Sequence, residues 1–255
     1  MAKKYKTGLV LSGGAARGLA HLGVIKALYE KDIKPDVISG TSAGSIAGAF
    51  LADGYDPEEL LEIFMEKKIY EFLSLSFGKM GLLKIQGIKE VLQKNLKAKK
   101  FEDLNIPLYV AVTNMNSGET EYFNEGDLID IVIASSSIPV LFIPSTMNGS
   151  VYADGGILDN LPVRPIRDKC EKVIGVNVNY TGPEDKINSM MKIAERSFHL
   201  SIGARITELA KECDLFIEPE ELKKYGLLDV GEGRKMFEIG YKKAKKMLEE
   251  SDVFK

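Results

Sequence analysis

Short apolar runs of strand length alternate along the chain with longer amphipathic stretches of helix length. The runs at 7–11, 37–39, 108–113, 120–123, 151–153, 173–178 and 215–217 are mostly short and β-branched. Several lack polar alternation, as strands covered on both faces do. Between them, apolar positions recur with helical spacing over 19–31, 43–52, 57–69, 88–96, 128–136, 186–213 and 234–249. Asp56 before Pro57 is an N-cap followed by proline at the first helical position, a strong start signal for the helix at 57–69. This alternation predicts an α/β fold, a three-layer αβα arrangement with a mostly parallel central sheet flanked by helices. The sequence holds no internal repeat, low-complexity tract or Pro/Gly/Ser-rich linker, so residues 1–255 are expected to form a single domain.

Composition narrows the function classes. Thirty-four Lys plus Arg stand against 37 Asp plus Glu, a net charge of −3, which gives no electrostatic reason to expect nucleic acid as a partner. Two cysteines, Cys170 and Cys213, make neither a disulfide framework nor a four-ligand zinc site, and they fit a reducing cytoplasm. The two histidines, His21 and His199, are too few for a His-rich metal centre, and any histidine-dependent catalysis must use one of them. The basic start leads into a short apolar run that Ser12-Gly13-Gly14 and Arg17 interrupt, so no signal peptide is expected. No stretch approaches the roughly 18 apolar residues of a membrane span. The stretch 69–85 is rich in Phe, Leu and Met and has two readings. It is a core connection between helices, or an apolar lip through which the protein meets lipid peripherally.

In parallel sheets, functional loops gather at the carboxyl ends of the strands. The loop Gly40-Thr41-Ser42-Ala43-Gly44 lies between a predicted strand and a predicted helix and has the form G-x-S-x-G. That pattern suits a sharp, strained strand-to-helix turn that presents a serine hydroxyl, with small flanking residues to keep the turn clear. Ser42 is therefore the candidate nucleophile, supported by Gly40 and Gly44. The loop Ser12-Gly13-Gly14-Ala15-Ala16-Arg17-Gly18 follows the first strand and opens a helix, so its free N–H groups can surround an anion. It reads two ways. A dinucleotide fingerprint would want glycine where Ala15 stands, with Asp36 reaching the ribose. An oxyanion hole needs only backbone donors, which alanine supplies provided its φ stays negative. Beside the Ser42 elbow, the oxyanion reading is preferred.

A serine nucleophile needs a proton acceptor. His199 falls inside a long helical pattern with no loop context, and His21 one turn into the first helix reads as a packing or hydrogen-bonding residue. Asp154 has the better setting. It ends a predicted strand and precedes Gly155-Gly156, which permit a tight turn. Partial burial would raise its basicity above that of an ordinary carboxyl. A triad using Ser42, Asp154 and His199 in that chain order remains the alternative.

Taken together, these stretches resemble the patatin-like phospholipase family, in its small bacterial form, and are similar to the catalytic domain of the neuropathy target esterase group. The matching pieces are residues 9–24, Gly40-Thr41-Ser42-Ala43-Gly44 and Asp154-Gly155-Gly156. Ser135-Ser136-Ser137-Ile138-Pro139 and Asp159-Asn160-Leu161-Pro162-Val163 also look like the family. The resemblance spans residues 9–163 and is only general beyond them. It implies a Ser–Asp dyad with Ser42 as nucleophile and Asp154 as base. It also implies an oxyanion hole from Gly13, Gly14, Ala15 and Arg17, and motif support from Gly18, Gly155 and Gly156. Metal-free and cofactor-free hydrolysis of acyl esters in phospholipids, lysophospholipids or related lipids follows from the same resemblance. Ala15 departs from the family's usual third glycine.

Overall fold

The computed structural model describes residues 3–66, 85–139, 142–183, 187 and 190–254. Five strands run parallel: β1 (Tyr5–Leu11), β2 (Val37–Thr41), β3 (Leu108–Asn114), β7 (Cys170–Val176) and β8 (Leu215–Ile217). Three more join antiparallel: β4 (Glu119–Phe123), β5 (Ser145–Met147) and β6 (Ser150–Asp154). The strand order is β5-β6-β3-β2-β1-β7-β8, with β4 also paired to β3. The mostly parallel sheet expected from the alternation is present. The sequence pattern overlooked β5, whose Ser-Thr-Met has no apolar run.

Strand side chains divide between two cores. Leu9, Leu11, Ile38, Val110, Ile174 and Val176 face the larger one, while Val10, Val37 and Val173 face the smaller. This two-sided burial explains the near-continuous apolar runs of β1 and β7. On the larger side lie α1 (Leu19–Tyr29), α2 (Ala43–Ala52), α3 (Pro57–Met65), α4 (Gln86–Asn95), α5 (Leu128–Ser135) and the last helix, Gly233–Glu250. On the smaller side lie α6 (Arg164–Arg167) and α8 (Ile206–Ala210). The helices on both faces make this a three-layer αβα fold. Asp56 caps α3 as its sequence requires, its side chain accepting from Glu58 N–H.

The long helix expected over 186–213 is two helices, α7 (Met190–Gly203) and α8, interrupted at Ala204-Arg205 just after Gly203. Glycine is a poor helix former and weakens the run there. The last helix is then α9 (Gly233–Glu250). The stretch 69–85 falls outside the described residues except for Ile85, as does the side chain of His199.

Register aligns the strand ends that matter. Leu11 pairs with Gly40 on one side and Val176 on the other, so the loops after β1, β2 and β7 emerge side by side. The last two strands of interest meet on β3. Its residues Val110–Asn114 pair with β4 along one edge. The other edge must then carry both β2, ending opposite Ala111, and β6, ending opposite Val112. A parallel and an antiparallel strand thus meet end to end, Thr41 against Asp154.

Candidate active site

The chain leaves β2 at Thr41 and enters α2 at Ala43, so one residue must make the whole turn. Ser42 does so with φ 53° and ψ −122°, a backbone conformation L-residues rarely adopt. Neighbours hold it there. Ser42 N–H donates to Ser135 Oγ at 2.9 Å, and that hydroxyl donates in turn to Ala111 O at 2.7 Å. Ser45 closes the other side, its N–H and hydroxyl both donating to Ser42 O. Gly44 is required by close approach, since a Cβ there would collide with the carbonyl of Leu11 at the end of β1. The elbow expected from G-x-S-x-G is formed.

Asp154 ends β6 and begins a short 3-10 turn, Gly155–Ile157. Its N–H donates to Ser137 O and its carbonyl accepts from Thr113 Oγ1, so the backbone is clamped on both sides. Within the side chain, Oδ1 accepts from Gly156 N–H at 2.7 Å, while Oδ2 is buried without a full hydrogen bond. Burial pushes the Asp154 carboxyl up to about 6, against smaller opposing effects of the Ser42 hydroxyl and the Gly156 N–H. The Ser42 hydroxyl interacts with this carboxylate from short of full hydrogen-bond geometry, as is common in sites without substrate.

The loop after β1 completes the constellation. Gly13 O accepts from Asn179 Nδ2 at 2.7 Å and from Ser12 Oγ at 2.9 Å. In a trans peptide the following N–H points the opposite way, so these two bonds aim the Gly14 N–H. Gly13 N–H donates to Asn160 O, Ala16 N–H to Leu227 O and Arg17 N–H to Gly14 O. Of the four residues expected to donate, Gly13 and Arg17 therefore have their N–H groups engaged within the protein, whereas those of Gly14 and Ala15 have no partner among the described residues. Ala15 adopts φ 46°, so the negative φ set as a condition for its donor role is not kept; its N–H is nonetheless left unpaired among the described residues, and that unpaired state is what supports the role. A positive φ is the conformation in which a third glycine would be at ease. Arg17 is buried and its Nε donates to Tyr225 O at 2.8 Å, so it braces the loop from behind.

Ser42, Asp154, Gly13, Gly14, Ala15 and Gly156 line one small pocket that opens to solvent, together with Asn160, Asn179 and apolar Ile138, Ile202 and Leu227. Gly18, expected as a support, packs against Ala43 at the start of α2. His21 is fully buried beneath the loop. Its Nε2 lies 2.8 Å from Ser12 O, which only accepts, so that nitrogen carries the proton. Burial lowers its pKa to about 4 and keeps the ring neutral.

The dinucleotide alternative fails on position. Asp36 precedes β2, and its carboxylate accepts from the N–H groups of Lys6 and Thr7 at the start of β1, the opposite end of that strand from the loop. Among the described residues no group of three or more His, Cys, Asp or Glu side chains forms a metal site. No described helix is long and apolar enough to cross a membrane. The sequence marks no chemistry at three residues of this site, Ser135, Asn160 and Asn179. Ser135 falls at the end of the predicted helix 128–136, Asn160 in a stretch with family likeness, and Asn179 follows β7 with no motif to mark it.

The family described as patatin-like phospholipase matches residues 9–167. Lysophospholipase NTE1 of Kluyveromyces lactis is 30% identical over 270 aligned residues, covering 92% of this chain and 18% of the relative. An uncharacterized NTE family protein of Mycobacterium bovis is 33% identical over 178 residues, covering 69% of this chain and 48% of its own. The chain spans less than half the length of either. Among solved structures, VipD from Legionella pneumophila superimposes with a TM-score of 0.57 at 18% identity, over 98% of this chain and 67% of VipD. That likeness is one of fold.

Proposed function

This chain belongs to the patatin-like phospholipase family, and from that premise we propose that it is a serine acyl hydrolase. Its substrates are acyl esters of phospholipids, lysophospholipids or related lipids. Its dyad is Ser42 and Asp154, and its oxyanion hole is built on the Gly13–Arg17 loop. The observation that carries the proposal is the meeting of β2 and β6 end to end on β3. It sets the strained Ser42 against a buried carboxylate whose Oδ2 lacks a full hydrogen bond.

Ser42 Oγ attacks the ester carbonyl carbon and Asp154 Oδ2 accepts the hydroxyl proton. The negative charge that develops on the carbonyl oxygen is met by the Gly14 and Ala15 N–H groups, the two loop donors without partners among the described residues. Collapse expels the alcohol portion, which takes the proton back from Asp154. Water, deprotonated by the same carboxylate, then attacks the acyl-enzyme; as the fatty acid leaves, Asp154 returns the proton to Ser42 Oγ and both groups are restored. A carboxyl of ordinary pKa is a weak base for this work, and burial of Asp154 raises its basicity into a useful range. Every group in the sequence comes from the chain, so neither metal nor cofactor is required. Ile138, Ile202 and Leu227 give the pocket beside Ser42 an apolar side. The proposed setting is cytoplasmic, with peripheral contact at a lipid surface and the chain acting as one domain.

The test is labelling with a fluorophosphonate followed by mass analysis, alongside turnover of lysophospholipid, phospholipid and p-nitrophenyl esters. The proposal expects a stoichiometric adduct on Ser42 and ester hydrolysis that Ser42→Ala abolishes. An adduct elsewhere, or hydrolysis that survives Ser42→Ala, would overturn it.

A further inference from the structure

Beyond Gly14 and Ala15, one side-chain donor in the pocket is unaccounted for. Asn160 is 4% exposed and lines the same pocket as Ser42 and Asp154, yet its Nδ2 is buried with no hydrogen-bond partner among the described residues. A buried carboxamide N–H left unpaired loses its solvation without compensation, so a persistent orphan invites a ligand that completes it.

Its surroundings fix where the amide sits. The Asn160 carbonyl accepts from Gly13 N–H at 3.2 Å, tying this residue to the loop that supplies the other donors. The side-chain Oδ1 lies against two glycines, 2.6 Å from where a Cβ on Gly13 would stand and 2.7 Å from one on Gly156. The amide is therefore wedged between the oxyanion loop and the turn that follows Asp154. The preceding residue is anchored from two directions: Thr41 Oγ1 donates to Asp159 O at 2.9 Å, and Tyr122 OH donates to Asp159 Oδ2 at 2.5 Å. Asn160 is thus held by the strand that carries Ser42 and by the loop that faces it.

We propose that Asn160 is a further catalytic residue, its carboxamide N–H donating to the substrate's carbonyl oxygen as that oxygen becomes an oxyanion. This inference rests on the acyl-hydrolase reading and adds a third donor to it. Two backbone groups and one amide then converge on the developing charge, and the orphan Nδ2 acquires its acceptor only when substrate is present. An interaction made in this way lowers the barrier rather than strengthening ground-state binding.

The experiment compares wild type with Asn160→Ala and Asn160→Asp, both of which remove the donor and the second of which keeps the side chain's size. Hydrolysis of a p-nitrophenyl ester is measured together with two affinities. One is for an alkyl trifluoromethyl ketone, which forms a tetrahedral oxyanion with serine, and the other for the corresponding secondary alcohol, which cannot. Loss of one oxyanion donor typically costs about 10²–10³ in rate. Both variants should lose about that much in kcat, with KM within about threefold, and lose ketone affinity while keeping alcohol affinity. A folded variant with near wild-type kcat would overturn the inference. So would equal weakening of ketone and alcohol, or a changed pH midpoint for kcat in Asn160→Ala, which adds no charge beside Asp154; these would assign the amide to packing or to Asp154. Failure of both variants to fold would assign Asn160 to structure and overturn it as well. A wild-type protein that neither hydrolyses esters nor labels on Ser42 would fail the acyl-hydrolase reading itself; active wild type with active variants would fail this inference alone.

Discussion

Ser42 and Asp154 stand at the facing ends of two strands that share one edge of β3, β2 arriving parallel and β6 antiparallel. Neither residue is placed by its own flexible loop. Each is an element terminus, clamped by backbone bonds: Ser42 N–H to Ser135 Oγ, and Asp154 N–H to Ser137 O. The two clamps come from one short stretch at the end of α5. Positions built on rigid elements in this way keep a nucleophile and a base within the narrow geometry that proton transfer needs.

The pH dependence of turnover follows from Asp154. Burial sets its carboxyl at about 6, and in the proposed mechanism only the ionised form accepts the Ser42 proton. The rate should therefore rise with pH through a midpoint near 6 and fall about tenfold per unit below it. A kcat/KM profile on a p-nitrophenyl ester reads this directly. A rate unchanged between pH 5 and 7 would contradict it.

Stability should run against activity at the same residue. The folded carboxyl sits above its ordinary value of 3.8, so the folded state binds this proton more tightly than the unfolded chain does. That contribution is fully present below pH 3.8 and is lost as pH rises through about 6, leaving a buried charge that costs stability at neutral pH. Asp154→Asn, which can still accept from Gly156 N–H, should stabilise the protein at pH 7.5 by on the order of 2–3 kcal/mol. The gain should shrink toward pH 4. Denaturant titrations at the two pH values provide the check.

Ser135 supports the elbow without touching the reacting atoms. Ser135→Ala leaves the buried Ser42 N–H and Ala111 O without their shared partner. The expected cost is about 1–3 kcal/mol of stability. Because the strained turn loosens, kcat should fall more than KM rises. Ser135→Thr, which restores a hydroxyl, should recover much of both, and thermal melting beside steady-state kinetics separates the two effects.

His21 should prove to be a structural donor. Its ring is neutral with the proton on Nε2, directed at Ser12 O, and burial holds its pKa near 4. Nitrogen-15 spectra of the imidazoles should show one ring in this tautomer unchanged from pH 8 to 5. A ring that titrates near 6.5 at this position would refute the assignment. The sign for stability follows: the contribution is present above about 6.5 and is lost as pH falls toward 4.

Much of this arrangement was legible in the sequence, because it rests on local signals. The β1, β2, β7 and β8 strands show as apolar runs, and the Ser42 elbow shows as small residues around a serine between a strand and a helix. Asp154 showed through its Gly-Gly sequel. Other features were beyond any local pattern. The end-to-end meeting of β2 and β6 depends on Val112 pairing with Asp154 across 42 positions, a register that no periodicity encodes. The three-residue β5 is polar, and the α7–α8 break was hidden by a continuous helical spacing. The left-handed backbone of Ala15 was missed because alanine gives no sign of a positive φ. Asn160 and Ser135 act through contacts made by the fold, so their chemistry appears only once the loops are brought together.

The central claim is that Asp154, and no histidine, takes the Ser42 proton. Parallel turnover measurements on Asp154→Asn and His199→Ala, each verified as folded, test it most directly. The account predicts that Asp154→Asn loses at least about 10³-fold in kcat, a loss on the scale of removing an essential general base, while His199→Ala stays within a few-fold of wild type. Near-normal turnover by Asp154→Asn together with loss in His199→Ala would contradict the dyad and require a histidine triad in its place.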